Sequence, residues 1–208
     1  TTSDITKITA KDLGIVDTYK YLYMMTYSFP CQDLSLAGKQ KGMAKGDDTR
    51  SGLLWEVERL LNECSELPQV LLMENVTQVH STKNKEHFDE WIKFLESKGY
   101  TNYWQDLNAK DFGVPQNRNR CFMVSILGDY EYEFPKPLPL EKRLKNLLED
   151  NVDKKYYLSD KMLDYFNRVD ADKTHGHNFT PKDGDDTAFT IRTAPGNRVD
   201  DNFIREDE

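Results

Sequence analysis

The sequence predicts an α/β fold whose sheet contains parallel strand pairs. Three observations lead there. Short apolar or aromatic runs alternate with stretches of helical periodicity over the first 140 residues. Two of those runs lead into reactive side chains, Cys31 and Glu74, as happens at the carboxyl ends of strands in open sheets. From Phe134 onward proline, and then acidic and glycine-rich sequence, replaces the alternation.

The elements follow in order. Residues 21–27 (YLYMMTY) form a buried strand, and a glycine- and lysine-rich loop occupies residues 35–51. Leu53, Leu54, Val57, Leu60 and Leu61 share one stripe, so residues 53–61 are helical. Pro68 precedes a second buried strand at 70–73. An amphipathic helix over 85–95 turns Phe88, Trp91, Ile92 and Leu95 inward, and Lys98-Gly99 ends it. Further strands run over 102–107 and 121–127. Residues 134–139 (FPKPLP) form a linker, followed by short helices at 138–148 and 159–166 and, in polar sequence, a short strand at 188–192. Two regions are expected: an α/β domain over 1–140 and the start of a second region over 141–208.

Composition limits the function classes. The chain of 208 residues is 38% hydrophobic and 31% charged, which suits a globular core. It has no apolar run long enough to span a bilayer and no signal peptide, so no membrane partner is expected. Three cysteines with no CxxC pair argue against a disulfide framework and against a cysteine zinc site, and fit a reducing cytoplasm. No metal site is expected, because His175 and His177 have no cysteine partner nearby. The net charge of −8 opposes nucleic-acid binding, yet Lys39, Lys41, Lys45 and Arg50 cluster while much of the acid lies after residue 183.

Three motifs carry chemistry. Phe29-Pro30-Cys31-Gln32 ends the first strand; a free cysteine is more often a buried small hydrophobe than a nucleophile. Glu74-Asn75-Val76 ends the next strand, where a carboxylate serves as helix cap or as acid. Gln116-Asn-Arg118-Asn-Arg120 precedes a strand; in extended chain both guanidiniums face one side, where they can lower a thiol pKa or orient a carboxylate. A solvated arginine pair is the plainer alternative.

Together, in this order, the motifs resemble the DNA (cytosine-5)-methyltransferase family, of bacterial or phage type. Pro-Cys-Gln continues as Asp33-Leu-Ser35-Leu-Ala37-Gly38-Lys39-Gln-Lys41-Gly42, similar to the family's catalytic loop. Thr49-Arg-Ser-Gly-Leu53-Leu54, Glu74-Asn75-Val76, and residues 107–116 leading into Gln-x-Arg-x-Arg resemble successive family blocks. Asp4-Ile5-Thr6 resembles the block before the catalytic strand. The likeness covers residues 4–140 and weakens beyond.

The resemblance implies a Rossmann-like class I S-adenosylmethionine-dependent methyltransferase fold: a partial, mixed, mostly parallel sheet with helices on both faces, followed by the start of a target-recognition region. It implies methyl transfer to C5 of a flipped-out cytosine in double-stranded DNA through a covalent Cys31–C6 adduct. Cys31, Glu74, Arg118 and Arg120 are the implied catalytic set. Asp4, Ile5, Pro30 and Leu53 are implied contacts to S-adenosylmethionine. Phe29, Gln32, Ser35, Lys39, Lys41, Asn75 and Gln116 are implied contacts to DNA. The segment 35–50 is the implied lid, with Ala37 where some relatives carry a serine. A cytoplasmic enzyme of a restriction-modification or phage system is expected, monomeric when complete.

The family's glycine-rich donor motif is not found, so a fragment with weak donor binding is expected. The alternative is a truncated, inactive relative that only binds DNA. Other cysteine chemistries fit less well. A zinc deaminase needs a cysteine at position 34, which is Leu, and an H-x-E. A thymidylate synthase has His after its cysteine, whereas Gln32 stands here. A cysteine hydrolase needs a His partner, for which His80 is the nearest candidate.

Overall fold

The computed structural model describes residues 4–30, 53–171, 179–191 and 202–205, apart from the side chains of 169–171. They divide into two compact units. One takes its residues from Thr1–Leu107 and Asn119–Pro135, the other from Asn108–Arg118 and Lys136–Glu208. Among the described residues no helix is long and apolar enough to cross a membrane.

The first unit opens with a 3-10 turn, Ile5–Lys7, and a single helical turn, α1 (Ala10–Leu13), closed by Gly14 at φ 65°. Strand β1 covers Met24–Tyr27, three residues shorter than the expected run. Its approach is diverted by two side chains that precede the second strand. Glu66 accepts from the Asp17 and Thr18 amides, and Gln69 takes the Thr18 and Tyr21 carbonyls and the Tyr23 amide. Main-chain groups of Tyr21 and Tyr23 bonded in this way are not available to a ladder at those points. Helix α2 (Leu54–Glu63) and helix α3 (Lys85–Ser97) follow the predicted stripes, and α3 runs two residues beyond the predicted end.

Strand β2 (Val70–Asn75) alternates half-buried and buried residues, so Leu71, Met73 and Asn75 face the core while Glu74 does not. Strand β3 (Tyr100–Asn108) leads by a 3-10 turn, Ala109–Phe112, to the two-residue β4 (Gln116–Asn117) and then to β5 (Asn119–Leu127). The sheet order is β1-β2-β5-β3. β1 and β2 are parallel, with Tyr27 opposite Met73. β5 inserts antiparallel beside β2, with Cys121 opposite Asn75 and Phe122 opposite Glu74. The sheet is thus mixed, as the sequence implied.

The core lies where α2 and α3 meet the buried face of β2. Trp91 is fully buried, donates its indole N–H to the Tyr27 hydroxyl at 2.9 Å, and makes edge contacts with the rings of Tyr27 and Trp55. Buried Leu54, Leu61, Leu71, Met73 and Phe88 complete the cluster, the dominant stabilising burial of the unit.

The second unit holds β4 paired in parallel with β6 (Ala188–Phe189). Helix α4 (Asp160–Ala171) starts one residue after the expected helix 159–166 and runs five residues beyond it, and it buries Phe166 against the rings of Phe179 and Phe203. The expected helix at 138–148 is absent; only a 3-10 turn, Leu144–Asn146, forms. Pro139 lacks an amide hydrogen. The Leu144 and Lys145 amides bond to the carbonyls of Asp186 and Gly184, and Leu138, Leu147 and Leu148 stay exposed. The leucine spacing here therefore marked a loop anchored at Leu144.

Candidate active site

The residues implied by sequence fall into three sets. Cys31, Gln32, Ser35, Lys39 and Lys41, and the lid over 35–50, lie outside the described residues, as do His175 and His177. Phe29, Glu74, Asn75 and Arg120 belong to the first unit, together with Asp4, Ile5, Pro30 and Leu53. Gln116 and Arg118 belong to the second.

Within the first unit two contacts build the centre. Arg120, at the start of β5, sets its Nε 3.1 Å from Glu74 Oε1 near the end of β2. The antiparallel register causes this: Phe122 lies opposite Glu74, and Arg120, two residues before it, projects from the same face of the sheet. The Arg120 side chain is 18% exposed and that of Glu74 36%, so the carboxylate remains open to solvent while the guanidinium is mostly covered. Arg120 also donates to the Asn119 carbonyl at 2.7 Å, which restrains its fork.

The second contact runs to the segment that follows β1 and leads into Pro30. Asn75 is 2% exposed. Its Nδ2 donates to the Phe29 carbonyl at 3.1 Å, and its Oδ1 accepts from the Val76 amide at 2.8 Å. Asn75 thus ties the chain just before Pro30 to the end of β2, beside Glu74. Phe29 is itself buried. Its carbonyl has a second lone pair with which to meet a ligand donor.

The N-terminal residues form a separate small platform. The Asp4 carboxylate caps the turn Ile5–Lys7, accepting from Thr6 Oγ1 at 2.8 Å and the Thr6 amide at 3.1 Å, with Lys7 Nζ at 3.3 Å. The Thr6 hydrogen bonds and the Lys7 ammonium hold the Asp4 carboxyl below its usual range. Ile5 packs on the cluster that includes Phe29 and Leu54, the chain neighbours of Pro30 and Leu53. Leu53 begins α2 in αR conformation without a side-chain cap.

Arg59 escaped the sequence reading. Its Nε and Nη1 bond Glu56 and Glu63 at 2.8 Å, and its Nη2 donates to the carbonyls of Ile5 and Ile8 at 3.2 and 2.9 Å. It fastens the Asp4–Ile5 turn to α2. The spacing Glu56-x-x-Arg59-x-x-x-Glu63 announces the ion pairs on a helix. Backbone carbonyls more than fifty positions away leave no such mark.

In the second unit Gln116 Oε1 accepts from the Ile191 amide at 3.3 Å. Arg118 falls between β4 and β5 rather than within a strand. Its amide donates to Asn108 Oδ1 at 3.0 Å and its carbonyl accepts from the Ala109 amide at 3.0 Å.

A carboxylate paired with a covered guanidinium, next to the tethered Phe29 carbonyl, is an arrangement able to hold and deliver a proton. The family model described as C-5 cytosine-specific DNA methylase matches residues 1–200. The type II methyltransferase M2.ScrFI of Lactococcus lactis subsp. cremoris is 44% identical over 161 residues, covering 77% of this chain and 42% of its own length. The orphan methyltransferase M.SssI of Spiroplasma monobiae is 46% identical over 162 residues, covering 74% and 42%. The chain therefore spans less than half the length of these curated relatives. Among solved structures, the Entamoeba histolytica methyltransferase EhMeth superposes with a TM-score of 0.65 at 20% identity, over 89% of this chain and 53% of that one. The S. pombe Dnmt2 methyltransferase gives 0.62 at 23%, over 89% and 55%. At such identities the likeness is one of fold, and it places the mixed sheet among Rossmann-like methyltransferase folds. From the family match over residues 1–200 and the identity to these relatives, the chain belongs to the C-5 cytosine-specific DNA methylase family.

Proposed function

We propose that this chain carries the catalytic centre of a DNA cytosine-5 methyltransferase acting on double-stranded DNA, with S-adenosylmethionine as methyl donor. The observation that supports it most is the Glu74–Arg120 pair, 3.1 Å apart at the end of the strand that follows the Pro-Cys motif.

In this reading the cytosine is flipped out of the duplex, because its ring edge is inaccessible in the stack. The Cys31 thiolate adds to C6, and the electrons displaced from the C5–C6 bond make C5 nucleophilic. Glu74, protonated at that moment, donates to N3 as charge builds on the ring. Arg120 orients Glu74 and meets the cytosine O2. The Phe29 carbonyl accepts from the exocyclic amine through its second lone pair, and Arg118 supports the thiolate. After methylation a base removes the C5 proton and the thiolate departs, restoring the aromatic ring.

The donor supplies an electrophilic methyl group. The capped turn fits its adenosine end: Asp4 offers an acceptor for the adenine amine, and Ile5, seated on the core, offers a flat apolar floor. Pro30 and Leu53 would line the same side. Gln32, Ser35, Lys39 and Lys41 would meet DNA phosphates and the strand ends. Asn75 acts by holding the Phe29 carbonyl, and Gln116 by ordering the approach to Arg118. Residues 141–208 would begin the target-recognition region of a restriction-modification or phage enzyme of the cytoplasm.

Trapping tests the proposal. A protein carrying this chain is incubated with duplex DNA containing 5-fluorocytosine and S-adenosylmethionine. A denaturation-resistant protein–DNA adduct is expected, lost in Cys31→Ser. DNA binding with no adduct in the unsubstituted protein would make it a non-catalytic relative. An adduct that survives Cys31→Ser would remove the nucleophile.

A further inference from the structure

Behind the Glu74 strand end, three side chains from three segments converge. His80 closes the 3-10 turn Thr77–His80, Asp106 sits on β3, and Cys121 sits on β5. His80 Nε2 lies 2.9 Å from Asp106 Oδ1, and one donor atom from each of the three residues lies within 4.8 Å of the other two. Nothing in the cytosine chemistry uses this cluster. Cys121 neighbours Arg120 in sequence, but strand alternation turns its side chain to the opposite, buried face, the one Asn75 occupies.

We propose that His80, Asp106 and Cys121 form a binding site for a divalent cation of the zinc class. Imidazole, carboxylate and thiolate together are a donor set that suits a borderline-soft d10 ion and discriminates against magnesium and calcium, which take oxygen ligands. Tetrahedral coordination spaces such donors about 3.5 Å apart, so the cluster needs side-chain shifts on the order of 1 Å. The charges also balance: one thiolate and one carboxylate neutralise the dication in a place where Cys121 is fully buried. His80 and Asp106 keep 24% and 32% side-chain exposure, so solvent reaches two of the three ligand side chains. Trp104 lies against the His80 ring at 4.7 Å between centroids and fixes its plane. Without a cation, burial and the nearby Asp106 and Glu74 charges push the Cys121 thiol up to about 12, so the sulfur stays protonated. Binding reverses this by displacing that proton. The bound ion would clamp the turn that follows Glu74-Asn75 to β3 and β5, stiffening the wall behind the catalytic carboxylate.

The proposal is independent of the methyl-transfer reading, and so is its test. The 208-residue chain, with Cys31→Ser and Cys64→Ser so that Cys121 is its one thiol, is stripped with chelator and titrated with Co2+ under reducing conditions. A saturable thiolate-to-cobalt charge-transfer absorption at one ion per chain is expected. His80→Gln and Asp106→Asn, at partly exposed positions, should each weaken binding tenfold or more with the circular dichroism unchanged. No charge-transfer absorption at millimolar Co2+ in a folded chain would overturn the site. So would an absorption that both substitutions leave untouched.

Discussion

Replacing Asn75 tests how the segment between β1 and Pro30 is held. Its amide makes two hydrogen bonds, one to the carbonyl of buried Phe29 and one from the Val76 amide. Asn75→Ala leaves both partners unmet. The stranded Phe29 carbonyl costs about 1–3 kcal/mol, and the lost bond to Val76, whose partly exposed amide can turn to water, adds about 1, so about 2–4 kcal/mol is expected in all. Asn75→Asp is the sharper change, because it nearly preserves volume. It keeps the acceptor for Val76 but sets an oxygen against the Phe29 carbonyl, and should destabilise at least as much as Ala. Urea unfolding followed by tryptophan fluorescence reads this, since Trp55 and Trp91 are buried. With a slope of about 2 kcal/mol/M the midpoint should fall by about 1–2 M. The same variants should slow adduct formation with 5-fluorocytosine DNA, because the Phe29 carbonyl is the last fixed point before Pro30. An Asn75→Asp midpoint within about 0.5 kcal/mol of the parent would show that Asn75 only fills space, and the positioning argument would fail.

Arg120→Ala and Glu74→Gln should each lower the adduct-forming rate about 100-fold or more, while stability changes by about 0–1 kcal/mol, as for a partly exposed ion pair; equal losses in both quantities would mark a structural pair instead. Burial raises the phenols of Tyr27 and Tyr100 above their ordinary value. The unfolded chain therefore releases these protons first as pH rises, so stability should hold below about pH 10 and fall above it. Tyr27→Phe should flatten that fall, and a tyrosinate absorbance that titrates normally without unfolding would refute it. Gly113 ends its 3-10 turn at φ 82° with open space around a built Cβ, so Gly113→Ala should cost about 1–2 kcal/mol from backbone strain alone, read as a shift in the urea midpoint. Arg59→Ala should speed amide hydrogen exchange in the turn after Asp4, leaving α3 unaffected; unchanged exchange would mean the turn holds without Arg59.

Much of the fold, and the pairing partners at the candidate site, could be read in the sequence for identifiable reasons. Helices α2 and α3 were legible because apolar residues at 3.6-residue spacing have no other economical arrangement, and Leu54, Val57, Trp91 and Leu95 are indeed buried. Glu74 and Arg120 were legible as motifs because a charged residue beside an apolar strand needs a partner. The leucines at 138–148 misled because periodicity records which residues are apolar, not where the amides find acceptors. Arg118 was expected to lie extended beside Arg120, yet the Asn108 side chain holds its amide between β4 and β5.

Local chemistry, then, was written in the chain itself: where α2, α3 and β2 form, that a carboxylate lies near the end of β2, and which family the motifs resemble. Tertiary structure alone decided that β5 enters antiparallel beside β2, since pairing direction depends on chain reversal far along the sequence. That register sets Arg120 against Glu74 and brings Cys121 to His80 and Asp106. Contacts of this kind join residues from about 15 to more than 50 positions apart, where neither periodicity nor local spacing carries information.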